Sequence, residues 1–238
     1  MTMKMKFSSI VIFTSLVILA ALTVITIVAE ARSQKKKFEI SKIYFEFNSS
    51  GNDLGVHVFL DGEDWKELTI TNPKGLEIFE VEGGGAYKKL GMTELFFEGA
   101  EPTLDDVPLE KLLAMFPKGK YKFSGKTVED QTIAGTGTLS YAIPAGPEVS
   151  SEIANNSLVI RWEPVTEPPE GFPDEKIEVV AYQVIVGSFQ VTVPATTLSV
   201  TVSPEYVASL PPGEHEFEVL AIEKSGNQSI TEGSFVKE

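Results

Sequence analysis

The chain has 238 residues, 42% of them hydrophobic and 23% charged, which is enough apolar material for one or two compact cores. Its formal net charge of −14 makes a surface that repels phosphate backbones, so nucleic acid is not expected as a partner. With no cysteine and only two histidines, His57 and His215, it has no disulfide framework, thiolate zinc site or thiol nucleophile, and most histidine-based metal and acid/base constellations are also out of reach.

Lys4 and Lys6 precede an apolar run from Ile10 to Val28 that ends in Ala29-Glu30-Ala31 and Arg32. This is the layout of a signal peptide over residues 1–31 with a small-x-small cleavage site. The run also approaches the roughly 20 residues that span a bilayer, so an uncleaved anchor at residues 10–28 stands as the alternative. Arg32 and Lys35 to Lys37 after the run outnumber Lys4 and Lys6 before it, which weighs against a cytoplasmic amino terminus. The expectation is a secreted or cell-envelope protein, or one anchored with its folded part outside the cytoplasm. Loss of Lys4, Lys6 and Glu30 on cleavage makes the mature chain more acidic by one unit. Asn48-Ser49-Ser50, Asn155-Asn156-Ser157 and Asn227-Gln228-Ser229 match the glycosylation acceptor pattern, with ordinary turn chemistry as the alternative reading.

Periodic sequence begins at Phe38. Ile43, Phe45 and Phe47 alternate with Tyr44 and Glu46, and Val56, Val58 and Leu60 alternate with His57 and Phe59. Trp65 to Ile70, Ile78 to Val81, Glu94 to Glu98, Lys120 to Ser124 and Thr132 to Ile143 continue the series of strands. Asn48 to Gly55, Asp61-Gly62, Asn72 to Gly75 and Gly83 to Gly85 read as the turns that separate them. Gly83-Gly84-Gly85-Ala86 lacks the lysine and hydroxyl residue of a phosphate-binding loop, and no helix is predicted to begin there. One helix is predicted, with Asp106 as cap, Pro108 in the first turn, and Leu109, Leu112, Leu113 and Phe116 as an apolar stripe packed on a sheet.

Pro144-Ala145-Gly146-Pro147 cannot continue a central strand and marks a boundary between an amino-terminal module, 38–143, and a second module, 147–238. The predicted fold class is all-β, mainly antiparallel.

The second module carries Leu158-Val159-Ile160-Arg161-Trp162 followed by Pro164, then Tyr182-Gln183-Val184-Ile185-Val186, then Thr197 to Val202. Leu210-Pro211-Pro212-Gly213 follows, leading into Phe217-Glu218-Val219-Leu220-Ala221. In order and spacing these resemble a fibronectin type III domain. The resemblance implies a β-sandwich of seven strands in two antiparallel sheets, with Trp162 in the core and an adhesion, scaffolding or spacing role. The family's corner tyrosine falls at His215, whose imidazole can still donate to a nearby carbonyl. Thr166 to Lys176 makes a longer loop than the fold needs, and loops at sandwich ends are where binding usually sits.

No nucleophile elbow surrounds either histidine, so no catalytic residue is assigned. His57 lies on the face opposite Val56 and Val58, where a structural role is expected. Asp61, Glu63, Asp64 and Trp65 cluster three carboxylates beside an aromatic and form the one candidate ligand surface. Their spacing does not match a calcium loop, and no metal or cofactor is assigned. Phe45, Phe47, Phe96 and Phe97 read as core. The resulting expectation is an exported, non-enzymatic binding or scaffolding protein whose partner is an extracellular or envelope protein. A carbohydrate-binding or carbohydrate-active protein, with the first module contacting glycan, and membrane tethering through residues 10–28 are the alternatives.

Overall fold

The computed structural model describes residues 36–154 and 156–238; the apolar run at 10–28, its cleavage site and Asn155 lie outside them. Among the described residues no helix is long and apolar enough to cross a membrane.

The first half contains β1 (Lys36–Lys37), β2 (Ile40–Asn48), β3 (Asp53–Thr71), β4 (Glu77–Glu82), α1 (Gly85–Leu90), β5 (Met92–Glu98), α2 (Leu109–Met115), β6 (Gly119–Thr127) and β7 (Thr132–Leu139). The second half contains β8 (Val149–Ala154), β9 (Ser157–Trp162), β10 (Val179–Val186), β11 (Phe189–Pro194), β12 (Ser199–Val202), α3 (Pro204–Ser209), β13 (Gly213–Glu223) and β14 (Gln228–Lys237). The protein is mostly β and mainly antiparallel, as the alternation predicts.

β3 departs from the expected pattern. Asp61-Gly62 is not a turn between two strands; it lies inside one strand of 19 residues. Up to Asp61 this strand pairs with β2 and β5, and from Trp65 onward it pairs chiefly with β4 and β6, with register shifts between the two parts. Asp61 to Asp64 is thus an irregular stretch by which one strand serves two sets of neighbours. Gly62 fits closely there: a Cβ would stand 3.0 Å from the Phe38 ring, which would have to give way by a few tenths of an ångström.

Three short helices flank the strands, of which the sequence predicts only α2. α1 begins at Gly85, where a loop was expected. No residue of α1 is buried, and Gly91 stops it at φ 77°. α2 covers the first core through Leu112, but its cap is Pro108 and not Asp106. The Asp106 carboxylate instead accepts the Thr103 hydroxyl at 2.9 Å. α3 is capped by Ser203, whose hydroxyl accepts from the Tyr206 amide.

Each half has its own apolar core. The first gathers Phe45, Val58, Leu60, Trp65, Ile70 and Phe123. The second gathers Ile160, Trp162, Tyr182, Val184, Phe217 and Val219. Around the second core β8 to β14 make two facing sheets, β12-β9-β8 and β14-β13-β10-β11. His215 Nε2 donates to Pro211 O at 2.8 Å, and its ring stacks on Phe235. Tyr206 anchors the adjoining corner by donating to Val186 O and accepting from the Ser188 and Phe189 amides.

The two halves share one sheet. β14 pairs in parallel with β2, Gln228 opposite Glu46 and Ile230 opposite Asn48, which joins the strands of both halves into an eleven-stranded assembly. Ser49 N and Oγ donate to Ile230 O, and Glu232 N donates to Ser50 Oγ. The Pro144–Pro147 connector is packed into this seam, with Ala142, Ile143, Pro144 and Pro147 buried. The 166–176 loop also reaches across: the Phe172 ring packs tilted against Phe47 of the first core, centroids 4.9 Å apart, and Glu175 pairs with Lys118 at 2.6 Å.

Candidate functional site

The four residues singled out in the sequence do not form one surface. Trp65 is 0% exposed, a central member of the first core, and offers no ring face to a ligand. Glu63 pairs with Lys36 at 2.7 Å. Asp61 and Asp64 carry backbone bonds, accepting from Glu39 N and Val128 N. Phe45 and Phe47 are core as expected, whereas Phe96 is 57% exposed.

Chemistry-bearing side chains converge elsewhere. Strand alternation places His57 on the outer face of β3, away from Val56 and Val58, yet it is only 3% exposed because neighbouring side chains close over it. Its ring lies 5.2 Å from Tyr44 on β2 and edge-on at 5.9 Å from Phe96 on β5. Antiparallel register sets His57 opposite Tyr44 on one side and Glu98 on the other. Two positions along β2, Glu46 sends Oε1 to 3.7 Å from His57 Nε2. Glu101, in the loop after β5, brings Oε1 to 3.2 Å from the same nitrogen. Among the described residues, Glu46, His57 and Glu101 are the group whose ligand atoms all lie within 4.8 Å of one another.

Two further residues hold this arrangement. Gln228, at the start of β14, donates from its amide to Glu46 Oε2 and so leaves Oε1 turned toward His57. Gly55, directly opposite Glu46 on β3, makes room for Glu101: a Cβ there would collide with the Glu101 carboxyl and its Cγ. Burial pushes the Glu46 and Glu101 carboxyls above the ordinary glutamate value, with Glu98 adding to both and the His57 ring opposing the rise. Burial, helped by Glu46 and Glu98, lifts the Tyr44 phenol to about 12. The site is therefore a group of partly buried carboxylates around one buried imidazole. Such a set of one ring nitrogen and two carboxylate oxygens can share a proton or accept a cation.

This cluster was not legible in the linear sequence. His57 and Glu101 are 44 positions apart and meet only through the β3–β5 register. The available signal was Gly55 beside His57 in an otherwise apolar strand, since a glycine within a strand marks close approach by another group.

Comparison with known proteins finds no matching family model and no matching curated protein. Distant structural similarity is found to β-rich domains of bacterial surface proteins. The chain is similar to a structure of a 1.5-MDa bacterial ice-binding adhesin, at 14% identity and TM-score 0.28, covering 86% of this chain and 65% of that one. It is similar to the BSP domain of a biofilm-associated protein at 13% identity and TM-score 0.26, covering 84% and 30%. The spore cortex lytic enzyme SleM of Clostridium perfringens matches at 17% identity and TM-score 0.31, covering 40% and 28%. The chain spans less than two thirds of each of these structures, and likeness at this level carries no assignment of activity.

Proposed function

We propose that this protein is an exported, non-enzymatic scaffold whose two β modules act as one rigid spacer and interaction unit outside the cytoplasm. The observation that supports this reading is the shared sheet. β2 and β14 pair across the module boundary, and the buried connector and the Phe172 loop close the same seam. Modules meant to move independently keep exposed linkers and small polar interfaces between them. Here backbone hydrogen bonds run through the joint, so a load or a partner on one module is transmitted to the other without a hinge.

The fibronectin type III reading of the second module is supported by its seven strands in sheets of three and four, by Trp162 in the core and by His215 at the corner. Fold alone leaves the partner open. The glycan alternative loses its main candidate, since the aromatic it relied on, Trp65, is interior.

The test joins location to rigidity. An epitope placed after Glu238 is expected to be accessible to protease on intact cells, and small-angle scattering of the purified chain is expected to fit a single rigid body. Retention of the epitope in the cytoplasm, or a scattering profile that requires two independently moving bodies, would overturn the proposal.

A further inference from the structure

We propose that Glu46, His57 and Glu101 form a binding site for one divalent transition-metal ion of zinc-like chemistry. The inference goes beyond the scaffold reading and does not depend on it.

The geometry carries the argument. Zinc binds imidazole nitrogen and carboxylate oxygen at about 2.0–2.2 Å, which in a tetrahedral arrangement separates neighbouring ligand atoms by about 3.4 Å. His57 Nε2 stands 3.2 Å from Glu101 Oε1 and 3.7 Å from Glu46 Oε1, values that bracket that spacing. All three atoms fall within 4.8 Å of one another, so the three side chains can converge on one ion.

The surroundings are built for it. The three ligands come from β2, β3 and the loop after β5, so their spacing is fixed by sheet register and not by one flexible segment. Gln228 holds the outer oxygen of Glu46, which is the outer-sphere support that orients a metal-binding carboxylate. Gly55 supplies the gap through which Glu101 approaches, and the larger side chains usual at such a strand position would close it.

Charge points the same way. Glu46 and Glu101 both reach one imidazole, and Glu98 stands directly opposite His57 in the β3–β5 register. A dication held by the ring nitrogen and the two carboxylates would offset the charge of both carboxylates. The nitrogen ligand favours zinc, cobalt, nickel or copper over calcium and magnesium, which take oxygen alone. The Glu101 side chain is the most exposed of the three, so the ion enters past it and water fills the remaining position. Bound there, the ion ties β2, β3 and the β5 loop together and, through Gln228, braces the seam to β14.

The experiment is calorimetric titration of zinc chloride into tag-free, chelator-treated full-length protein, with cobalt(II) absorption as the readout of geometry. One equivalent of zinc is expected to bind, cobalt is expected to show the intense visible bands of a tetrahedral site, and the thermal midpoint is expected to rise with zinc. Glu101→Gln and His57→Gln should abolish stoichiometric uptake, while Glu63→Gln should leave it intact. Should His57→Gln fail to fold, Gln228→Ala tests the site from outside the ligand set, with affinity expected to fall about tenfold. Absence of saturable binding in the wild-type protein, or binding unaltered by Glu101→Gln, overturns the proposal and leaves a buried histidine–carboxylate hydrogen bond.

Discussion

Phe45 and Asn227 stand 182 positions apart and are joined by a buried hydrogen bond, with Phe45 N donating to Asn227 Oδ1 at 2.9 Å. The amide nitrogen of the same side chain donates to Ser140 O and Ala142 O, each at 3.0 Å. One side chain thus satisfies a strand of the first module and the residues leading into the connector, while its own backbone carbonyl accepts from Glu223 N in the β13–β14 turn. Beside it Ser229 Oγ donates to Pro144 O. The Asn227-Gln228-Ser229 acceptor pattern is therefore a structural staple: Asn227 is 1% exposed and its amide nitrogen is fully used.

Asn227→Ala is expected to destabilise the fold by about 1–3 kcal/mol, because it strands a buried N–H, a buried carbonyl and a part-buried carbonyl. Asn227→Asp is expected to be worse, since it turns two donors into a carboxylate oxygen facing carbonyl oxygens. Urea denaturation followed by far-UV circular dichroism measures both. Equal stability of wild type and Asn227→Ala would show that the staple is not holding the seam.

Trp65 offers a second test. The side chain is fully buried, and among the described residues its indole N–H has no partner. Trp65→Ala is expected to cost about 3–5 kcal/mol through loss of packing. Trp65→Phe sacrifices no hydrogen bond and is expected to cost clearly less. Chemical denaturation of the two variants distinguishes this packing role from a surface role, for which both would leave stability almost unchanged.

What the sequence disclosed and what it hid follow from the range of the forces involved. Ile43, Phe45 and Phe47 announced β2 because alternation is a local property, whereas the sandwich of the second module was implied by the family resemblance of the motifs from Leu158 through Ala221. Asp61 to Trp65 misled because a bend inside a long strand uses the same glycine and acidic residues as a hairpin turn. Gly85 began a helix where a loop was expected, in a segment with no buried face whose pattern could have revealed it. Glu46, His57 and Glu101, like Phe45 and Asn227, become neighbours only through strand register, which no local pattern encodes.

Glu218 on β13 sits directly opposite Glu232 on β14. Partial burial, then the carboxylates of Glu232, Glu46 and Glu216, raise its pKa above the ordinary glutamate value. The folded state therefore favours the protonated carboxyl, and its ionisation costs stability. That cost is absent below the unfolded-state pKa, develops as pH rises through the folded-state pKa, and is fully present near neutrality. Glu218→Gln is expected to stabilise the protein by a few tenths of a kcal/mol, up to about 1 kcal/mol, at neutral pH and to make no difference in acid well below the unfolded pKa. Thermal unfolding of both proteins across this range checks the sign, and a gain that grows as the pH falls would refute it.

Tyr206 tests the corner of the second sandwich. Its hydroxyl donates to Val186 O and accepts from Ser188 N at 3.0 Å and Phe189 N at 3.2 Å, so it serves the β10–β11 turn from the helix that precedes β13. The ring also packs 5.7 Å from Phe189, which Tyr206→Phe retains. That substitution removes only the oxygen and is expected to cost about 1–2 kcal/mol, the price of leaving part-buried backbone groups to weak solvation. Amide hydrogen exchange gives the sharper reading. Protection should fall at Ser188 and Phe189 and stay unchanged at Phe45 across the seam, because among the described residues the hydrogen bonds of the turn and those of the seam involve different partners. Loss of protection at both places together would mean that the corner and the seam unfold as one unit.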